Sequence, residues 1–71
     1  MKTVVEVRVN GAARPLRHGL LAELLAELGY SAGQPGIAVA VNGEVVPRAR
    51  WSDRPLRAGD DVEIVGAVQG G

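Results

Sequence analysis

The chain has 71 residues, with eight basic and eight acidic residues and no cysteine. A chain of this length forms one small core with little room for a deep catalytic cleft, so an autonomous enzyme is disfavoured. Balanced charge disfavours nucleic acid as a partner, and the lack of cysteine excludes disulfides and thiolate metal sites within these residues. No stretch reaches the roughly 18 apolar residues of a membrane span and no signal peptide is recognisable, so we expect a cytoplasmic protein without a membrane partner.

The first predicted elements form a β-hairpin. Val5, Val7 and Val9 alternate with charged residues, which is the period of a half-buried strand. Asn10-Gly11 then supplies a turn with positive φ, and a second strand is expected from Ala12 to Leu16.

The next segment predicts a short helix with one apolar face. Its leucines recur at i, i+3, i+4 and i+7, and Gly29 is placed to end it in the left-handed conformation. His18-Gly19 lacks a side chain that caps a helix well, so the start of the helix is poorly marked. The helical face consists of Leu21, Leu24, Leu25 and Leu28.

The second half predicts three further strands and an irregular connection. A loop from Ser31 to Gly36 precedes an apolar strand from Ile37 to Val41, and Asn42-Gly43 repeats the hairpin signal. The chain returns through Glu44 to Val46 until Pro47 withdraws an amide donor. The remaining predictions are a connection from Arg48 to Asp60 and a last strand from Asp61 to Val65.

Two hairpin signals, one helix and a last strand predict an α+β domain, with a mixed sheet of four to five strands packed on one helix. If the first and last strands are parallel neighbours in the centre, the helical crossover has the common right hand, and this arrangement is the β-grasp. We expect the β-grasp domain to span residues 1–66 and a flexible diglycine tail to span 67–71. The side chains expected to face the helix are Val5, Val7, Ile37, Val39, Val41, Val62 and Ile64.

The opposite face of the predicted sheet is small, partly apolar and acidic at its margins. It carries Val4, Glu6, Ala38, Ala40, Glu63 and Val65. A contiguous patch of this kind on a small domain indicates a docking surface for a partner. We expect partners to hold this face while the tail reaches into them.

The diglycine at Gly70-Gly71 follows directly after an apolar segment. Without a Cβ, such a tail passes through a narrow channel and leaves its terminal carbonyl carbon unhindered. With ten glycines in the chain, composition weakens this signal without removing it. We interpret the diglycine as a chemical handle for another protein's active site, with the alternative that it is a meaningless end.

The other candidate residues are weak. His18 has no nucleophile or second metal ligand around it, and Asp60-Asp61 fit a turn better than a cation site. Trp51 is interpreted as a lid over the core, in preference to an exposed partner anchor. The arginines of the connection are interspersed with aspartates and form a solvated mixed-charge loop more readily than a phosphate site; they are Arg48, Arg50, Arg54 and Arg57. We therefore predict no catalytic residue and no metal ligand.

The second half of the chain carries a more specific pattern, which consists of Val41 to Arg48, Trp51, Pro55-Leu56, Gly59-Asp60, Val62 to Val65 and Ala67 to Gly71. With these residues the chain resembles a known family, the bacterial sulfur carrier proteins of thiamine biosynthesis. The resemblance implies a ubiquitin-like β-grasp fold and a carrier that is not an enzyme. It further implies that an E1-like adenylyltransferase uses ATP to adenylate the C-terminal glycine, which is then converted to a thiocarboxylate and donates sulfur to thiazole synthase.

Carried over by position, the resemblance makes Gly71 the site of adenylation and of the thiocarboxylate, while Gly70, Gln69 and Val68 enter the partner's active site. It implies no bound cofactor, a sulfur donor system such as a cysteine desulfurase, and a monomer when free. Three alternatives stay open: a carrier of the molybdopterin-synthase small-subunit type, a ubiquitin-like protein modifier, and a plain binding module with an idle tail.

Overall fold

The computed structural model describes residues 5–17, 19–31 and 34–66 of the chain. Within them lie five strands, one α-helix and one 3-10 helix. In chain order these are β1 (Glu6–Val9), β2 (Ala12–Pro15), α1 (Leu21–Glu27), β3 (Ile37–Val41), β4 (Glu44–Val45), the 3-10 helix (Arg48–Asp53) and β5 (Asp61–Gly66). No helix among these residues is long and apolar enough to cross a membrane.

The five strands form one mixed sheet in the order β2-β1-β5-β3-β4. β1 and β5 are parallel neighbours, and every other pairing in the sheet is antiparallel. β5, the last strand of the described residues, is therefore the central strand, flanked by β1 and β3. This order, with one helix on the sheet, confirms the predicted α+β β-grasp.

Both Asn-Gly pairs form the predicted hairpin turns. Asn10 and Gly11 have φ of 51° and 86°, and Asn42 and Gly43 have φ of 53° and 83°. Asparagine and glycine tolerate this left-handed region better than other residues, so the turn type follows from the local sequence. The strands they join differ slightly from the prediction: β2 ends at Pro15 and β4 ends at Val45, each one residue earlier.

The core lies between the sheet and α1 and follows the predicted alternation with one exception. Val5 precedes β1 and is 39% exposed, so its predicted burial against the helix is wrong. Val9, two residues further on than Val7, is buried as well. The buried set is Val7, Val9, Leu21, Leu24, Leu25, Val39, Val41, Val46, Trp51, Leu56, Val62 and Ile64.

The helix ends as the sequence predicts. Gly29 adopts φ of 96°, the Tyr30 N–H donates to the Leu25 carbonyl at 2.8 Å, and the Gly29 N–H donates to the Ala26 carbonyl at 3.0 Å. These two bonds form a Schellman motif, which satisfies carbonyls that the helix leaves without partners. Glycine is required there because a side chain disfavours this positive φ.

The connection before β5 is more regular than predicted. We expected an irregular segment from Arg48 to Asp60, but Arg48–Asp53 forms a 3-10 helix. Pro47 precedes it with φ of −59°, and the Arg50 N–H donates to the Pro47 carbonyl at 2.8 Å. This short helix turns Trp51 into the core, so burial of the indole stabilises a local conformation that the polar residues around it do not predict.

Candidate functional site

The candidate site begins where the central strand ends. β5 is paired with β3 as far as Gly66, which lies opposite Ile37. The backbone pairing of β5 with β1 stops earlier, at Val62 opposite Val9. The tail residues predicted to react or to enter a partner, Val68, Gln69, Gly70 and Gly71, lie outside the described residues, as does the predicted tail segment 67–71 as a whole.

Asn10 continues the contact between the first hairpin and β5 beyond the last backbone pair. Its backbone N–H donates to the Val62 carbonyl at 2.9 Å. Its side-chain carbonyl accepts the Ile64 N–H at 2.8 Å, and its side-chain amide donates to the Ile64 carbonyl at 3.2 Å. One turn residue therefore holds β5 two residues before Gly66.

Asn42 makes a related contact at the other end of β5. Its backbone N–H donates to the Asp61 carbonyl at 2.7 Å, and its side-chain oxygen accepts the Asp61 N–H at 2.9 Å. Its side-chain amide also donates to an Asp60 carboxylate oxygen at 3.0 Å. Each Asn-Gly turn thus uses its asparagine to hold one end of the central strand, a role that turn propensity alone does not indicate.

Asp60 itself organises the turn into β5, in keeping with its interpretation as a turn residue. Its carboxylate accepts the Arg57 N–H at 2.9 Å as well as the Asn42 amide. Its backbone carbonyl accepts the Arg8 N–H at 2.9 Å. Within the described ranges, no group of three or more histidine, aspartate or glutamate side chains is arranged to hold a metal ion.

The outer face of the sheet brings together the described residues of the predicted docking surface that lie on β3 and β5. Glu6 of β1 lies apart from them, because its carbonyl accepts the Gly59 N–H before β5 begins. Ala38 lies opposite Val65, and Ala40 lies opposite Glu63, in the pairing of β3 with β5. Val65 is 63% exposed, Glu63, Ala38 and Glu6 are exposed, and Ala40 is half-buried. Val4, the remaining member, lies outside the described residues. The register thus assembles an apolar strip on β3 and β5 with a carboxylate beside it.

Two residues of this face were missed from the sequence. Val45 of β4 lies opposite Ala40 and is 75% exposed, so it extends the apolar strip to the edge of the sheet. Arg8 of β1 lies beside Asp61 and places a cation among the acidic side chains. The sequence did not assign Val45 to this face because β4 has only two residues, and so short a strand shows no alternation. We name Ala38, Ala40, Val45, Glu63 and Val65 the outer strip.

Trp51 is a lid over the core, as interpreted from the sequence. Its side chain is 2% exposed, and its indole N–H donates to the Val46 carbonyl at 3.0 Å. The Arg48 guanidinium lies 4.6 Å from the ring centroid. With its polar atom satisfied and its ring buried, Trp51 offers no exposed anchor for a partner.

The arginines of the connection belong to a mixed-charge surface. Arg50 forms an exposed ion pair with Asp53 at 3.2 Å. An exposed pair of this kind contributes on the order of 0–1 kcal/mol. His18, the other titratable candidate of the sequence, lies outside the described residues.

Comparisons with known proteins agree on one family. A family model described as "ThiS family" matches residues 7–71. The Sulfur carrier protein ThiS of Thermus thermophilus is 45% identical over 65 residues, which cover 92% of this chain and 98% of that relative.

Solved structures support the same assignment. The crystal structure of the thiamine biosynthesis protein (ThiS) of Geobacter metallireducens matches with a TM-score of 0.75 and 29% identity, covering 93% of this chain and 99% of that one. A solution structure of a thiamine biosynthesis protein from the same organism matches with a TM-score of 0.73 and 28% identity, covering 93% and 87%. The ubiquitin-like fold and a small carrier in place of an enzyme, both implied by the resemblance, are confirmed. Because the family model spans nearly the whole sequence, the chain belongs to the ThiS family.

Proposed function

We propose that the chain is the sulfur carrier of thiamine biosynthesis and that the carboxyl group of Gly71 carries the sulfur. The observation that supports this most is the family match over residues 7–71, because it includes the diglycine. An E1-like adenylyltransferase and a thiazole synthase are the proposed partners, in a cytoplasmic setting and with a carrier that is monomeric when free.

The chemistry begins with an inert group. A terminal carboxyl has a pKa of about 3.5, so at neutral pH it is an anion that resists nucleophilic attack. In the proposed reaction its oxygen attacks the α-phosphorus of ATP on the activating enzyme and releases pyrophosphate. The resulting acyl-adenylate has AMP as a leaving group, which makes the Gly71 carbonyl carbon an acyl donor.

Sulfur then replaces AMP on the Gly71 carbonyl carbon. A persulfide on a donor system such as a cysteine desulfurase attacks the Gly71 carbonyl carbon through its terminal sulfur and displaces AMP. A second thiol of the donor system then cleaves the resulting acyl disulfide, which leaves a thiocarboxylate on Gly71 and a disulfide on the donor. The chain has no cysteine, so no thiol of its own competes for the activated acyl group. ATP is consumed by the partner, and the carrier itself binds no cofactor in this proposal.

The proposed docking surface is the outer face of the sheet. The outer strip is apolar at Ala38, Ala40, Val45 and Val65, and Glu63 lies within it. The apolar side chains form the core of an interface with the partner. The charged side chains at the margin fix the orientation in which the partner binds. The face ends at the same end of β5 from which the chain continues past Gly66, so a partner that holds the face also receives the tail.

Intact mass spectrometry tests this function. The chain is incubated with the activating enzyme, ATP and a sulfur donor, and the product mass is mapped by fragmentation. We expect one oxygen to be replaced by sulfur at Gly71, and no such change when ATP is omitted. An unmodified chain, under conditions that charge a known carrier of this family, contradicts the proposal.

A further inference from the structure

The side chain of Asn10 extends the contact of the first hairpin with β5 from Val62 to Ile64, two residues beyond the last backbone pair of β1. The backbone pairing stops at Val62, because the chain turns at Asn10-Gly11. A side-chain amide presents its oxygen and an N–H along one edge, and with that edge Asn10 accepts the Ile64 N–H at 2.8 Å and donates to the Ile64 carbonyl at 3.2 Å. The contact joins residues 54 positions apart in the chain.

Among the described residues, this contact is the one between the first hairpin and β5 that lies nearest to Gly66. On the other side, β3 pairs with β5 through Val65 and Gly66. Without the Asn10 side chain, β5 beyond Val62 keeps its pairing with β3 alone. Ile64 is therefore the described residue nearest to Gly66 at which β5 is held from both sides.

We propose that Asn10 is a positioning residue for the reaction at Gly71: it keeps β5 ordered to its end, so that a docked partner receives a short tail from a fixed direction. This inference rests on the proposed function. Gly71 lies nine positions after Val62 and five positions after Gly66, so fraying of β5 beyond Val62 adds four residues between the ordered part of the strand and Gly71.

A longer segment between the ordered strand and Gly71 lowers the rate at which the reacting carboxyl enters the partner, for two reasons. The effective concentration of a tethered group falls roughly as the −3/2 power of tether length, which is about 2.4-fold between five and nine residues. Each further residue that must be ordered inside the partner lowers the productive fraction again. We therefore expect a loss of about threefold to tenfold in the rate of activation at saturating partner, where any weaker docking through Glu63 and Val65 no longer limits the rate.

Asn42 provides a matched control. It occupies the equivalent place in the other Asn-Gly turn, with φ of 53° against 51° for Asn10, and its side chain also holds the backbone of β5. Its contact is with Asp61 at the start of the strand, away from the tail. Glycine tolerates positive φ, so Asn10→Gly and Asn42→Gly both keep their turns and remove only the side-chain bonds.

The experiment compares wild type, Asn10→Gly and Asn42→Gly in single-turnover adenylation, measured as pyrophosphate release at saturating activating enzyme. Titration calorimetry gives the dissociation constant of each complex, and hydrogen exchange of the Ile64 amide reports the contact directly. We expect faster Ile64 exchange and a threefold to tenfold slower turnover for Asn10→Gly alone. The turnover and the dissociation constant of Asn42→Gly are expected to stay within about twofold of wild type. The dissociation constant of Asn10→Gly fixes the enzyme concentration at which its turnover is measured under saturation.

Equal turnover of Asn10→Gly and wild type, or an equal loss in both variants, overturns the positioning role while leaving the proposed function intact. A wild-type chain that is not adenylated overturns the proposed function, and this inference with it. If Asn10→Gly does not fold, Asn10→Asp takes its place. At neutral pH an aspartate still accepts the Ile64 N–H but cannot donate to the Ile64 carbonyl, so an intermediate rate is expected and a wild-type rate counts against the role.

Discussion

Leu20 and Pro55 form an isolated antiparallel bridge that joins the start of α1 to the connection before β5. The Leu21 N–H donates to the Arg54 carbonyl, and the Leu56 N–H donates to the Gly19 carbonyl, each at 2.9 Å. Leu20 makes no side-chain capping bond to the helix. The bridge therefore positions the start of a helix whose local sequence supplies no capping side chain.

The indole bond of Trp51 yields a prediction on stability. Trp51→Phe keeps an aromatic ring in the core but leaves the Val46 carbonyl without its donor. Removing one partner of a buried hydrogen bond costs about 1–3 kcal/mol, and the smaller ring adds to this loss. We expect the free energy of unfolding, measured by urea denaturation, to fall by about 2 kcal/mol or more.

Ser52→Ala is the control for Trp51→Phe, since Ser52 is exposed on the same 3-10 helix. Exposed substitutions of this kind stay within about 0.5 kcal/mol. A Trp51→Phe variant as stable as Ser52→Ala would show that the buried indole bond contributes nothing.

Gly29→Ala tests the end of α1. The φ of 96° is unfavourable for alanine, although a Cβ at this position meets nothing within 4 Å. The expected cost is therefore conformational and about 1 kcal/mol or more, which lowers the melting temperature by roughly 4–8 °C for a domain of this size. Calorimetric melting measures the change.

The control for Gly29→Ala is Gly19→Ala. A Cβ at Gly19 also meets nothing within 4 Å, and its φ lies outside the left-handed range. Alanine at such a position reduces the freedom of the unfolded chain, so we expect no loss of stability and up to about 1 kcal/mol of gain. Equal destabilisation by both variants argues against the left-handed stop.

The proposed docking face is tested by Ala40→Arg. Ala40 lies between Glu63 and Val45 on the outer face. A long charged side chain at this position keeps a partner from packing closely against the face and does not enter the core. We expect at least about tenfold weaker binding of the activating enzyme by titration calorimetry, with unchanged melting. Ala26→Arg, at an exposed position on α1, is expected to bind normally. Unchanged affinity of Ala40→Arg removes this face from the proposal.

Deletion of Gly71 separates a carrier from a plain binding module. In a carrier, the deletion removes the proposed reacting residue and abolishes thiocarboxylate formation, whereas a binding module tolerates it. Gly70→Ala retains Gly71 but adds a Cβ to the tail, so we expect slower activation without complete loss. Mass spectrometry after a timed incubation measures both variants, and full activity of the deletion variant contradicts the carrier chemistry.

The sulfur acceptor is identified by supplying the thiocarboxylated chain to a reconstituted thiazole synthase and, separately, to a molybdopterin synthase large subunit. We expect sulfur transfer in the first reaction because the family match is to ThiS. Transfer only in the second assigns the chain to the other pathway. Gly-Gly remnants on cellular lysines would instead support a protein modifier.

Much of the fold was predictable because its signals are local. The alternation through Val7 and Val9, the turns at Asn10-Gly11 and Asn42-Gly43, and the stop at Gly29 each depend on the conformational preferences of neighbouring residues. The 3-10 helix at Arg48–Asp53 was missed, since it is stabilised by the burial of Trp51 against distant residues.

The candidate site was predictable in part. Alternation along the longer strands was enough to group Ala38, Ala40, Glu63 and Val65 on one face, and the described residues of this group do lie together. Val45 joins them through its pairing with Ala40, which depends on strand register and not on the pattern of a two-residue strand.

Local sequence determined the strand period, the helix face, both hairpin turns and the family to which the chain belongs. The tertiary structure decided which residues these elements bring to the end of β5. The side chain of Asn10 bonds to Ile64 because the parallel alignment of β1 and β5 places the first turn beside β5. The preference of asparagine for turns predicts the turn but not this partner. Backbone conformation is set by neighbours in the chain, whereas the contacts that hold the exit of the central strand join residues that only folding brings together.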